Sequence, residues 1–137
     1  MSTLEVTTAK VTNLNDGAKT VATTSINTGH AKAWLNYAQV GNSIHESFNV
    51  SSVTDNTTGH FTKNYTNSMS QENHVVGCTS AETGGTGPGA DRYISLARGS
   101  NRIATGSAQF ASGDVSDQMV TLRDQNMNCT SSHGDLA

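Results

Sequence analysis

Ala31-Lys-Ala-Trp34-Leu-Asn-Tyr37 is followed by Ser43-Ile-His-Glu-Ser-Phe-Asn-Val-Ser-Ser-Val53, by Asp55-Asn-Thr-Thr-Gly59 and by Phe61-Thr-Lys-Asn-Tyr65. This run holds the only tryptophan and the densest apolar pattern of the chain. Trp34, Leu35, Tyr37 and Val40 suit a half-buried strand that Gly41-Asn42 turns. Ile44, Phe48 and Val50 then alternate, with Glu46 the exception on that face, and Phe61, Lys63 and Tyr65 resume the alternation. The spacing predicts a hairpin in which 43–53 pairs antiparallel with 60–66 across the Asp55–Gly59 loop. Trp34, Phe48 and Phe61 are the expected core aromatics.

The rest of the chain reads as further short strands. Residues 2–14 scatter Leu4, Val6 and Val11 among threonines, Asn15-Asp-Gly17 is a turn signal, and Lys19–Ile26 is another Thr-rich extended piece. With so few apolar residues, 1–29 cannot form a core alone and reads as an extended attachment arm. Beyond the hairpin, His74–Cys78 is a short apolar strand, and Ala81–Ala90 is a loop with four glycines and the only proline. Strands are expected at Arg92–Ala97, at Asn101–Phe110 (broken by Gly106) and at Val115–Leu122, with Ser112-Gly113-Asp114 as a turn. Asp117–Gln125 has a helical alternative. Residues 123–137 are polar and read as a tail. The fold class is therefore all-β, a small antiparallel β-sandwich over 30–122 with an extended N-terminal arm.

Composition narrows the class of function. The chain has 19 Thr, 16 Ser and 13 Asn among 137 residues, with only 34% hydrophobic and 14% charged residues. This neutral-polar balance resembles that of extracellular and structural β proteins. Ordering a residue costs roughly 1–2 kcal/mol, so so thin an apolar complement calls for extra stabilisation, and oligomerisation is the expected source. The net charge of −3 comes with eight scattered basic residues, which argues against a nucleic-acid partner. No run is long and apolar enough to insert in a membrane. The start, Met1-Ser-Thr-Leu-Glu, has neither the basic nor the apolar region of a signal peptide. Cys78 and Cys129 read as free thiols.

Motif matches carry little chemistry. Gly85-Thr-Gly-Pro-Gly-Ala90 fits a dinucleotide-loop spacing, but Pro88 and Gly89 interrupt the helix such a loop must open, and strand-like Arg92-Tyr-Ile-Ser follows. His30, His45, His60, His74 and His133 form no pair spaced to share a metal, so no metal or other cofactor is expected. No nucleophile elbow or paired catalytic carboxylates occur, and no catalytic residue is assigned. The four sequons at Asn49, Asn56, Asn64 and Asn128 are what an Asn- and Ser/Thr-rich chain supplies by chance. Tyr37, Tyr65, Tyr93 and Phe110 are the candidate receptor contacts, because an aromatic face can stack on a sugar.

Ala31–Tyr37, Ile44–Asn56 and Gly59–Tyr65 together resemble a module common in tail fibres and other virion surface proteins of marine phages, cyanophages in particular. Its members read A-K-A-W-V-N-F, then S-F-N-V-S-S-I-T-D-N-G-T-G-D-Y-T-V-N-F. The likeness is close over about 31–66, looser to Leu122 and absent beyond, and Ser2-Thr-Leu-Glu-Val resembles the module's N-terminal lead. It implies a homotrimeric, non-enzymatic virion protein. Residues 1–29 would bind other phage proteins, and 30–122 would meet the host surface, with a glycan as a possible ligand. The shortness of the chain keeps a second expectation open, a capsid decoration or head-fibre protein held to the shell by its arm. A small carbohydrate-active enzyme is a third. Lys63 departs from the module, standing where an apolar residue is usual, and so does the hydrophilic C-terminal stretch, which the likeness casts as a contact with another virion protein.

Overall fold

The computed structural model describes residues 12–15, 17, 20–81, 91–98, 102–116 and 119–137. The expectations for residues 2–11 and for the Gly85–Ala90 loop lie outside them. The chain divides into two units, Met1–His30 and Ala31–Ala137. In the first, β1 (Asn13–Asn15) and β2 (Thr20–Ala22) pair antiparallel, and α1 (Thr23–Gly29) follows. The side-chain oxygen of Asn15 accepts the Gly17 N–H at 2.6 Å, the local bond by which asparagine favours turns. Of the extended reading of Lys19–Ile26, Thr20–Ala22 is strand β2, and the helix corrects it only over Thr23–Ile26. Both the N–H and the hydroxyl of Thr23 donate to the Thr12 carbonyl, so the chain turns there despite weak helix formers.

The second unit contains β3 (Ala33–Ala38), β4 (Ser43–Phe48), β5 (Val50–Thr57), β6 (His60–Tyr65), β7 (Val75–Ala81), β8 (Asp91–Leu96), β9 (Ile103–Ala104), β10 (Ser107–Ser116), β11 (Met119–Leu122) and β12 (Met127–His133). One antiparallel sheet has the order β4-β3-β12-β7. The other runs β11-β10-β6-β5, with β8 and β9 also paired to β10. Inward residues of both sheets, among them Leu35 and Tyr37 from one and Phe61, Tyr65 and Phe110 from the other, share one core. The unit is all-β and consistent with a β-sandwich.

The stretch 43–53 is not one strand. It breaks at Asn49, whose φ of 54° lies in the left-handed region that asparagine tolerates. The Asn49 amide donates to the carbonyls of Lys32 and Asn67 at 3.0 and 3.1 Å and accepts the Asn67 N–H at 2.7 Å. Held this way, the chain leaves one sheet as β4 and enters the other as β5. Only β5 pairs with β6, from Val50↔Tyr65 to Thr57↔His60. A register shift at Asn36/Tyr37 sets Ile44 opposite Tyr37, while Glu46 and Phe48 oppose Asn36 and Trp34 on the outer face. The exceptional Glu46 thus faces solvent. Phe48 is 53% exposed, not core, and Trp34 is half-buried beside it.

Two further readings change. Ser112-Gly113-Asp114 is not a turn, because β10 runs straight through it. Of the strand expected at Val115–Leu122, Met119–Leu122 is present as β11, paired with Gly113–Ser116, so the helical alternative is not taken there. Residues 123–137 are no tail. They supply β12, the inner strand that pairs with β3 through Asn128–Ser132 and with β7 through Met127–His133. Its side chains alternate, with Asn128, Thr130 and Ser132 buried. A polar strand escapes an apolar periodicity search, and here the polar residues face inward because a polar group inside needs them.

That group is Lys63, fully buried on β6. Its ammonium donates to the hydroxyls of Thr130 and Ser132, each at 3.0 Å, and lies 5.5 Å from the ring centres of Tyr65 and Phe110. No carboxylate pairs with it among the described residues. Burial lowers its pKa from 10.5 to about 8, since an amine out of water resists charging, and the facing Cys78 opposes this weakly. From Ser132 the chain of bonds continues to the Tyr65 hydroxyl, to His74 Nε2 (both 2.8 Å), and from His74 Nδ1 to the Gln71 carbonyl (3.1 Å). An ammonium can only donate and a carbonyl only accept. The relay therefore points outward, with Ser132 donating to Tyr65, Tyr65 to Nε2, and the imidazole proton on Nδ1.

Candidate binding site

The four candidate contact residues separate sharply. Tyr37, Tyr65 and Phe110 are buried, which corrects their assignment as receptor contacts. Tyr37 donates to Asn42 Oδ1 at 2.8 Å, and burial, reinforced by Asp55 and Asp124, pushes its phenol up to about 12. Its ring lies 5.1 Å from that of Phe61, which in turn stacks on Phe110 at 5.2 Å. These aromatics are core because the odd positions of β3 and β6 and the even positions of β10 all face the space between the sheets.

Tyr93 differs. It lies on the outer face of β8, half-buried, and lines a concavity of about 350 Å³ with His60, Arg98, Ala111 and Leu122. The register of β10 explains the assembly. Ala111 stands opposite His60 on β6, and Gly113 stands between Tyr93 on β8 and Leu122 on β11. Two small residues on the middle strand thus leave a floor, and larger residues on its neighbours become walls. Gly59 fixes the far edge. A Cβ there would meet the Ser112 carbonyl oxygen at 2.5 Å, the Arg123 nitrogen at 2.8 Å and Leu122 Cβ at 2.9 Å. Its φ of 69° also favours glycine. Its N–H donates to Asp124 Oδ1 at 2.7 Å and its carbonyl accepts from Ser112 N–H at 2.7 Å, which closes the end of β6 onto β11.

The polar groups of this concavity are unevenly engaged. The Tyr93 hydroxyl donates to Ser95 Oγ, which donates to the Leu96 carbonyl at 3.0 Å, so the ring is held in one orientation. His60 Nδ1 is buried with no hydrogen-bond partner among the described residues. The arginines divide clearly. Arg92 and Arg123 bind Asp114 at 2.7 and 3.3 Å, while Arg102 donates to the Arg98 carbonyl and to Gln109. Arg98 is exposed, and among the described residues its guanidinium has no carboxylate partner. Sequence reading named Tyr93 but missed Arg98, His60 and Leu122. Arg92, Arg98 and Arg102 lie close together in the sequence, yet only the side-chain contacts show which of them is taken.

On the other sheet a shallow trough of about 410 Å³ runs beside Trp34 over Asn36, Gly77, Cys129 and Ser131. Among the described residues no charged side chain lines it, and Phe48 extends its apolar edge, with Glu46 opposite Asn36. Cys78 and Cys129 are both free. Cys78 opposes Thr130 and Cys129 opposes Thr79, so the two thiols leave neighbouring strands on opposite faces and cannot join without breaking the pairing. Burial holds the Cys78 thiol above its ordinary pKa, with Lys63 opposing. Among the described residues, no group of three or more His, Cys, Asp or Glu is placed to hold a metal ion, and no helix is long and apolar enough to cross a membrane. No family model matches the chain, and no curated protein or solved structure matches it.

Proposed function

We propose that the chain is a non-enzymatic structural protein of a phage particle, a tail fibre or fibre-like component whose β-sandwich head meets the host surface, with residues 1–29 attaching it to other virion proteins. One observation carries the reading. The residues that resemble the virion module are those that build the head: β3 to β6 lie within 31–66, and Ala33, Leu35, Tyr37, Phe61 and Tyr65 are five of the eight residues of its core cluster. The likeness therefore falls on the framework, not on surface loops. Antibody labelling of intact particles made by the phage that encodes this chain tests it. Label along the tail is the expected result. Label at fivefold or threefold capsid positions would establish the decoration protein instead, and particles without label would sink both.

The head assembles as a homotrimer in this reading. The half-exposed Trp34 and exposed Phe48 sit side by side on an outer sheet face, and the core is small and carries a buried amine. Light scattering on the full chain should return three times its 14.3 kDa mass. A stable folded monomer at micromolar concentration contradicts it.

A further inference from the structure

We infer that the concavity between His60, Tyr93, Arg98 and Leu122 binds a carboxylate-bearing sugar residue. The inference rests on the host-attachment reading above and names the ligand class for one site on that head. Three observations converge. The volume, about 350 Å³, falls at the small end of the range for small-molecule sites and fits about one pyranose ring. Tyr93 supplies an aromatic wall whose orientation is set by its bond to Ser95, so stacking loses little side-chain entropy. Leu122 continues that apolar wall. Arg98 then supplies the charge. Its planar fork matches a carboxylate bidentately, and unlike Arg92 and Arg123 it has no carboxylate of its own among the described residues.

His60 adds a ring nitrogen without a partner inside the same wall, at a place where unsatisfied buried polar atoms are uncommon. The floor of Ala111 and Gly113 lets the sugar ring approach the sheet backbone. The Trp34 trough is the competing surface, but among the described residues it has no cationic lining residue with which to prefer an acidic sugar over a neutral one, and Glu46 stands opposite its Asn36.

The test uses the full chain, a galacturonic-acid trisaccharide, the galactose trisaccharide of the same linkage, and acetate, in a nuclear magnetic resonance titration. The acidic trisaccharide is expected to shift the ring signals of Tyr93 and His60 and to bind at least about tenfold more tightly than the neutral one. Arg98→Gln, at an exposed side chain, should remove that preference without altering the melting temperature, and Tyr93→Ala should weaken both sugars. Equal binding of the two sugars, shifts confined to the Trp34 face, unchanged preference in Arg98→Gln, or no saturable binding each overturns the inference. Acetate binding as tightly as the trisaccharide overturns the sugar part of it. The two readings fail separately: a chain found on particles that binds no acidic sugar loses only this site, whereas sugar binding by a chain missing from particles defeats the virion reading.

Discussion

A chain ending at Leu122 is expected to lose its cooperative unfolding transition. The deleted residues include β12, which lies between β3 and β7, so its removal splits one sheet into two pieces and strips hydrogen-bond partners from both. The Lys63 ammonium loses both of its hydrogen-bond partners, Thr130 and Ser132. Tyr65 loses its bond to Ser132, Gly59 N–H loses Asp124, and Gln39 N–H loses the Gln125 carbonyl. The C-terminal end is tied down as well, with Ser70 N–H to Asp135, Ala137 N–H to Ser68 and a bridge from Met69 to Leu136. Against a total stability of about 5–15 kcal/mol, these losses leave no folded state. Near-ultraviolet circular dichroism during heating checks this. A truncated chain that melts cooperatively within a few degrees of the full one would show that β12 is dispensable.

Lys63→Met is expected to stabilise the protein at neutral pH and to flatten its pH dependence between 8 and 9. In the native state the Lys63 pKa falls from 10.5 to about 8. Below pH 8 both states hold the proton, so the full cost of a buried ammonium, about 3 kcal/mol, weighs on the native state. Between 8 and 10.5 the unfolded chain binds the proton that the native chain has released, so stability rises with pH. Other groups oppose this further up. Cys78, raised above 9.0 by burial, lowers stability as pH passes 9, and Tyr37 and Tyr65, raised above 10.0, do so beyond 10.

The clear window is therefore pH 8–9, where the unfolding free energy of the natural chain should rise by about 1 kcal/mol. Methionine keeps the length and apolar stem of the lysine and removes the charge. It forfeits two hydrogen bonds, yet replacing a buried charge with an apolar isostere commonly gains about 1–3 kcal/mol. Urea titrations at pH 7, 8 and 9 measure both effects. An unchanged slope in the variant would mean that Lys63 does not titrate there, and a loss of more than 2 kcal/mol at pH 7 would mean that its hydrogen bonds outweigh its desolvation.

Much of the fold was legible along the chain because a strand announces itself by alternation. Phe61, Lys63 and Tyr65 do share a face, and placing Lys63 on it was correct although the residue is charged. The same rule misled at Ile44, Glu46, Phe48 and Val50. Alternation is a count of two, and anything that adds or turns a residue changes its parity. The shift opposite Asn36/Tyr37 and the left-handed φ at Asn49 each do so, and neither alters composition. Phe48 was placed in the core by that miscount. The candidate site was less legible. Tyr93 could be named, but its companions come from three other places in the chain.

Local sequence therefore accounts for the all-β character of the second unit, for the β5–β6 hairpin closed at Gly59 and for the inward face of Phe61, Lys63 and Tyr65, because these follow from neighbouring residues and local backbone preferences. Long-range pairing alone makes the polar 127–133 stretch an inner strand, puts β4 and β5 in different sheets, and leaves Arg98 without a carboxylate partner among the described residues. Those outcomes depend on partners far along the chain. Lys63 meets Thr130 and Ser132 across separations of 67 and 69 residues, and a polar strand becomes core only because a buried ammonium waits on the opposite sheet.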